Sequence, residues 1–164
     1  MKTKVYANLE WQHIGTVKEA GNLYADGEWC FNTKDRAART CNSIGRGRSG
    51  NYYIIKINKD DNRYPYTGDN AVVGQLLVRV GEQGMPVPLD EVGRLHVEAG
   101  WDLWLRINDD FGLSDNDGEL SLRIVTPKMA AYDPARTNAT NSYGDPIGTQ
   151  YTRDAAGNYV KIKP

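Results

Sequence analysis

The stretch Trp101–Val125 constrains the chain more than any other. It reads WDLWLRINDDFGLSDNDGELSLRIV. Trp101, Leu103, Leu105 and Ile107 alternate with Asp102, Trp104 and Arg106, and Leu120, Leu122 and Ile124 alternate with Ser121 and Arg123. A period of two predicts two strands, each buried on one face. Between them lies an acidic loop holding Asp109, Asp110, Asp115 and Asp117, with Asn108 and Asn116 among them and Gly118 at its end. Like charges this close repel unless a cation or water spreads them. Hard cations such as calcium take carboxylate and carbonyl oxygens in a flexible shell. Asp, Asn, Ser and Gly are also ordinary turn residues, so a solvated hairpin loop is the alternative. The spacing is not that of an EF-hand, which wants acids at alternate positions between helices.

The rest of the chain repeats the strand texture. Short strands are predicted over 3–7 and 13–17, at Leu23-Tyr24 and over Glu28–Asn32, the last two joined by the turn pair Asp26-Gly27. Tyr52–Asn58, Leu76–Val80 and Arg94–Glu98 follow, rich in β-branched and aromatic residues. Met85–Leu89 carries two prolines, which cannot donate to a central ladder, and so reads as an edge segment. The expected fold class is all-β: an antiparallel β-sandwich of about eight strands, of jelly-roll type, with an extended C-terminal tail. Residues 1–126 form the sandwich and 127–164 the tail, in which a hairpin about Ala156-Gly157 is predicted.

Several short motifs resemble one family. Asn108-Asp109, then Asp115-Asn116-Asp117-Gly118 before an alternating strand, resembles the end of the PA-IL-like calcium-dependent galactophilic lectins and related galactose-binding-like β-sandwiches. Trp11, Gly15, Gly21-Asn22 and Gly27-Glu28-Trp29 resemble the opening of that family, and Gly74–Gly81 its central strand. The resemblance spans roughly residues 4–126. It implies one calcium ion, Ca2+, held by Asp109, Asp115 and Asn116, with a backbone carbonyl near Leu113 and that of Asn32. The family grips its sugar with a His and a Gln beside a Pro. Tyr64-Pro65-Tyr66-Thr67 stands at that place here, which makes Tyr64, Tyr66 and Thr67 the candidate sugar contacts. Tyr rings suit a sugar face, since each couples an apolar ring to a polar tip; a Pro-ordered loop with its Tyr side chains laid on the sandwich is the alternative.

Other features bound the function. The 164 residues carry a net charge of −1, so no global charge calls for nucleic acid or an anionic membrane. No apolar run reaches membrane-spanning length, and no signal peptide is visible behind Met1. Synthesis in the cytoplasm is expected, with a virion or the cell exterior, reached without a signal peptide, as destinations. Cys30 and Cys41 are no disulfide framework; buried thiols are expected, with one disulfide as the alternative. The connection 33–51 holds Lys34, Arg36, Arg39, Arg46 and Arg48 against Asp35 alone. Arg forks match phosphate oxygens, but no aromatics interleave, so contact with an acidic neighbour is preferred to nucleic acid. His13 and His96 lack partners at metal or catalytic spacing. The Asn138-Ala-Thr140 sequon is treated as chance without an export signal. No nucleophile elbow, phosphate loop or Cys–His pair is present, and the carboxylates crowd one loop rather than face across a cleft. The expectation is therefore a protein without enzymatic activity, a calcium-dependent carbohydrate-binding (lectin-like) module. The second expectation is a structural assembly module, such as a phage virion decoration or tail protein, on the same fold. The expected partners are a glycan and further copies of the chain, assembled through the tail as a homo-oligomer.

Overall fold

The computed structural model describes residues 1–47, 54–128, 145 and 147–162. Two antiparallel sheets carry the body. The first contains β1 (Lys4–Tyr6), β3 (Gly21–Asp26), β4 (Trp29–Cys30), β5 (Thr40–Cys41), β8 (Arg94–Val97) and β10 (Asp117–Val125). The second runs β2 (Gln12–Thr16), β9 (Asp102–Ile107), β6 (Leu76–Val80), β7 (Val87–Pro88). Alternation does its work in both. Leu23, Leu95, Val97, Leu120 and Leu122 of the first sheet meet Ile14, Leu76, Val78, Leu103, Leu105 and Ile107 of the second in one core. Antiparallel sheets packed over a shared apolar layer are a β-sandwich. As expected from its prolines, β7 is the edge of the second sheet.

Two expectations are changed in detail. Asp26-Gly27 does not turn one strand back on the next. Asp26 faces Ser121 and Trp29 faces Gly118, one unbroken antiparallel register, so β3 and β4 run in line along β10. Gly27, at φ 101°, sits at the break between them. Tyr52–Asn58 is not seen as a strand where it is described. Within 54–58 only Lys56 makes a bridge, to Val72, flanked by bonds from Ile57 N to the Ala71 carbonyl and from Val73 N to the Ile55 carbonyl. Its partner is short because Gly74, at φ 93°, turns the chain into β6. The rest of that expected strand, and residues 48–51 of the basic connection, lie outside the described residues. The described part of that connection holds a 3-10 turn at Thr33–Asp35, a single helical turn α1 (Arg36–Arg39) and β5.

In the tail, β11 (Tyr151–Arg153) and β12 (Tyr159–Lys161) pair about Gly157, as the hairpin prediction required. This hairpin rests on its own domain. Tyr151 is buried, its N–H donates to the Gln83 carbonyl, and the Gln150 amide donates to the Val80 carbonyl. The sequon at 138–140 lies outside the described residues. No described helix is long and apolar enough to cross a membrane.

Candidate functional site

The acidic loop is pinned at both ends before any ligand is considered. At its start, Asn108 is fully buried. Its N–H donates to the Gln75 carbonyl, and its side-chain amide donates to the Tyr66 carbonyl at 3.0 Å and to Gln75 Oε1 at 2.9 Å. At its end, Asp117 and Gly118 pair with Cys30 and Trp29. A 3-10 turn at Leu113–Asp115 closes between, where the Leu113 carbonyl accepts the Asn116 N–H at 3.0 Å.

Asp109 is the buried member of the acidic group, 6% exposed. One carboxylate oxygen accepts the Asp110 N–H at 2.8 Å and the other accepts Asn116 Nδ2, also at 2.8 Å. Burial pushes its carboxyl up to about 6, with the charges of Asp110 and Asp115 adding to the rise against these two hydrogen bonds. Asn116 is 5% exposed and donates as well to the Ala7 carbonyl. Its Oδ1 and Asp115 Oδ1 are both buried and accept no hydrogen bond. Buried oxygens normally find a partner, so each such orphan requires an explanation. Among the described residues no three His, Cys, Asp or Glu side chains converge into a metal-binding group. The expected ligand set asks for two carboxylates, one amide and two carbonyls.

Asn32 lies two residues beyond the last pair, Cys30 with Asp117, as the N-cap of the 3-10 turn at Thr33–Asp35. Its side chain caps the 3-10 turn by accepting the Lys34 N–H, and its carbonyl accepts the Asp35 N–H. Arg36, one turn on, pairs with Asp117 at 3.0 Å and offsets the loop's charge from outside. Asp109, Leu113, Asp115 and Asn116 thus lie in one loop, and Asn32 follows the strand paired to its end.

The sugar candidates separate. Tyr64 is half-buried, with the Arg63 guanidinium 5.6 Å from its ring centre. Burial and then the Asp110 charge raise its phenol, which places it near the acidic loop. Tyr66 is 5% exposed and packs with Ala71 and Leu77, its hydroxyl donating to the Asp69 carbonyl at 2.7 Å. A ring enclosed this way offers no face for stacking, and its role is structural. Thr67 is half-buried beside it.

Sequence reasoning passed over a groove on the outer face of the second sheet. It has a volume of about 550 Å³ and runs from Asp110, Phe111 and Tyr64 to the C-terminal hairpin at Tyr159. Its floor holds Trp11, Arg79 and Arg106. Arg79 stands opposite Trp104 in the strand register, with its guanidinium 4.3 Å from the Trp11 ring centre and 5.7 Å from that of Trp104. The signal was present: the outward positions of two alternating strands are Trp and Arg instead of the small polar residues of a solvated face.

His13 and His96 have ordinary partners. His13 Nε2 lies 2.5 Å from Asp102 and His96 Nε2 2.7 Å from Glu98. Compared with known proteins, the chain matches no family model and no curated sequence at a significant level.

Proposed function

We propose that this protein is a calcium-dependent carbohydrate-binding module of lectin-like type. The observation that carries the reading is the pair of buried, unpartnered oxygens, Asp115 Oδ1 and Asn116 Oδ1, beside the buried Asp109 carboxylate. All three are hard oxygen donors, the chemistry calcium selects. They are residues that the resemblance to the galactophilic lectins implies as calcium ligands, with the Leu113 and Asn32 carbonyls as the remaining ones. Bound there, calcium would neutralise the loop's mutual repulsion and present a Lewis-acidic position for vicinal sugar hydroxyls. The chain's own residues supply the surroundings. Asn108 holds the start of the loop, Arg36 balances Asp117, and Tyr64, Asp110 and Phe111 face the neighbouring groove as sugar contacts.

The test is a calcium titration followed by calorimetry, with a glycan array probed in calcium and in excess chelator. The reading expects one bound calcium per chain and glycan signals that vanish in chelator. Absence of heat on titration, with an array unchanged by chelator, overturns it.

A further inference from the structure

The groove on the outer face of the second sheet contains an arrangement that neither the fold nor a neutral sugar requires. Among the described residues, three guanidinium groups that line it, those of Arg79, Arg106 and Arg153, make no ion pair; Arg153 is exposed and donates to the Tyr159 hydroxyl, whereas Arg79 and Arg106 are partly desolvated. Arg79 Nε is buried and makes no hydrogen bond. Arg106 is 7% exposed; Nε donates to the Ile107 carbonyl at 2.9 Å and one terminal nitrogen to the Asp109 carbonyl at 3.1 Å. Its other terminal nitrogen has no hydrogen-bond partner among the described residues. Burial lowers the affinity of both groups for their protons, which marks how little water screens them. A partly desolvated cation without a counter-ion is costly unless an anion or strong acceptor reaches it. The acids that act on them, Glu82 on Arg79 and Glu10 and Asp109 on Arg106, do so through space only. The site is built rather than incidental. Trp11 lies under Arg79, 4.3 Å from ring centre to guanidinium carbon, and the backbone holds Arg106.

We propose that this groove binds an acidic saccharide, with the sugar's carboxylate held by Arg79 and Arg106 and its ring against the aromatic wall. The anion is assigned from the two forks, since planar guanidinium groups match a carboxylate and hold it with charge-assisted hydrogen bonds. The ring is assigned from Trp11, Tyr64 and Tyr159, together with Phe111, which is 81% exposed at the rim. Glu10, Glu82 and Asp110 lie in the same groove. Their carboxylates accept sugar hydroxyls but repel a repeating phosphate backbone, which disfavours single-stranded nucleic acid despite the stacking rings. The choice of a sugar rests on the carbohydrate-binding reading above. The site itself needs no metal.

The experiment uses the full chain and follows tryptophan fluorescence, because Trp11 forms the floor. A galactose trisaccharide ending in a single galacturonate and its all-galactose counterpart are titrated in calcium and again in excess chelator, with a poly-thymidine oligonucleotide as a third probe. The expected result is that the acidic trisaccharide binds roughly tenfold or more tightly than the neutral one, in both buffers, the worth of one charge-assisted bond. Arg79→Gln should erase that preference and Arg79→Lys should restore part of it. Arg123→Gln, on the first sheet and paired with Asp26, should leave it intact. Circular dichroism melting of each variant confirms folding. Equal affinity for both sugars, or an unchanged preference in Arg79→Gln, overturns the proposal, as does tighter binding of the oligonucleotide. Acidic preference that persists in chelator, without any calcium-dependent signal, supports this site and counts against the calcium reading. Calcium-dependent binding of the neutral sugar alone does the reverse.

Discussion

The indole Nε1 of Trp29 donates a 2.7 Å hydrogen bond to the carbonyl of Gly74. That bond ties the first sheet to the turn that starts β6 of the second. The same carbonyl receives the Cys41 thiol at 3.5 Å. Gly74 is held at φ 93°, and a Cβ there would lie 2.5 Å from Cys41 Sγ and 2.9 Å from the Phe31 ring. Gly74→Ala therefore meets both a left-handed backbone and a filled core. It should destabilise the fold by on the order of 3–5 kcal/mol. Urea unfolding would measure this; a loss below about 1 kcal/mol would mean the turn is free to relax.

The two cysteines should behave as inert thiols. Trp29 faces Cys41 and Cys30 faces Thr40, so the cysteines occupy adjacent positions of one ladder and point to opposite faces of the sheet. No disulfide links them, and both are buried. Burial pushes the Cys41 thiol up to about 12. A colorimetric thiol reagent should label neither in the native protein and both after denaturation. Rapid labelling of either native thiol would contradict this packing.

Calcium should raise the melting temperature, because a ligand bound only by the native state stabilises it by about 2.7 kcal/mol at a hundredfold excess over Kd. Asp115→Ala should remove most of the rise, and magnesium should substitute poorly, since it demands a tighter octahedral shell. A scan that does not move between millimolar calcium and chelator removes the metal site.

In chelator, Asp109 should set part of the pH dependence. Its folded carboxyl is raised to about 6 from an ordinary value of 3.8, so the folded state holds its proton longer than the unfolded chain. Stability from this group is then greatest below pH 4 and falls as pH rises towards and through 6. The full effect is on the order of 2–3 kcal/mol, at about 1.4 kcal/mol per pH unit of displacement. Asp109→Asn cannot titrate. The stability of the wild type relative to this variant should decline between pH 4 and 7 by that amount in denaturant unfolding. A difference independent of pH would show that Asp109 is solvated.

Asn108→Ala should loosen the segment 54–75 more than the sandwich. It strips partners from the Tyr66 backbone and from Gln75 Oε1. Each buried polar group left unpaired costs about 1–3 kcal/mol. Hydrogen exchange should accelerate at Tyr66 and Ala71 before it does in β6 or β9. Equal acceleration throughout would show that Asn108 supports the whole fold.

The strands were legible because alternation is a local property. Leu103-Leu105-Ile107 and Leu120-Leu122 have one side to hide, and any fold that hides it must make them strands. The prolines of Met85–Leu89 likewise placed an edge without knowledge of its neighbours. The acidic loop was legible as chemistry, since four aspartates within nine residues are a charge problem in any conformation. Which of them is buried was not. Asp109 is enclosed while Asp117 is solvated and paired with Arg36, and that difference comes from where β1, β4 and α1 pass.

Tertiary structure alone decided the second face. Period two divides a strand into two sides but does not say what covers the polar one. Tyr66 and Tyr64 read alike in sequence, yet segment 54–75 folds over Leu77 and encloses Tyr66 while Tyr64 faces the groove. Arg79, Arg106 and Trp11 are far apart in the chain and meet only because β6 and β9 are neighbours and the C-terminal hairpin walls the space beside them. Asp26-Gly27 shows the same limit. As a dipeptide it is a turn, but the constant register along β10 makes it a break within one line, because the long strand offers hydrogen bonds to both of its sides. Local sequence determined which residues must be strand and which loop is charged. Long-range pairing decided which side chains share a surface, since that depends on contacts between residues that no short window contains.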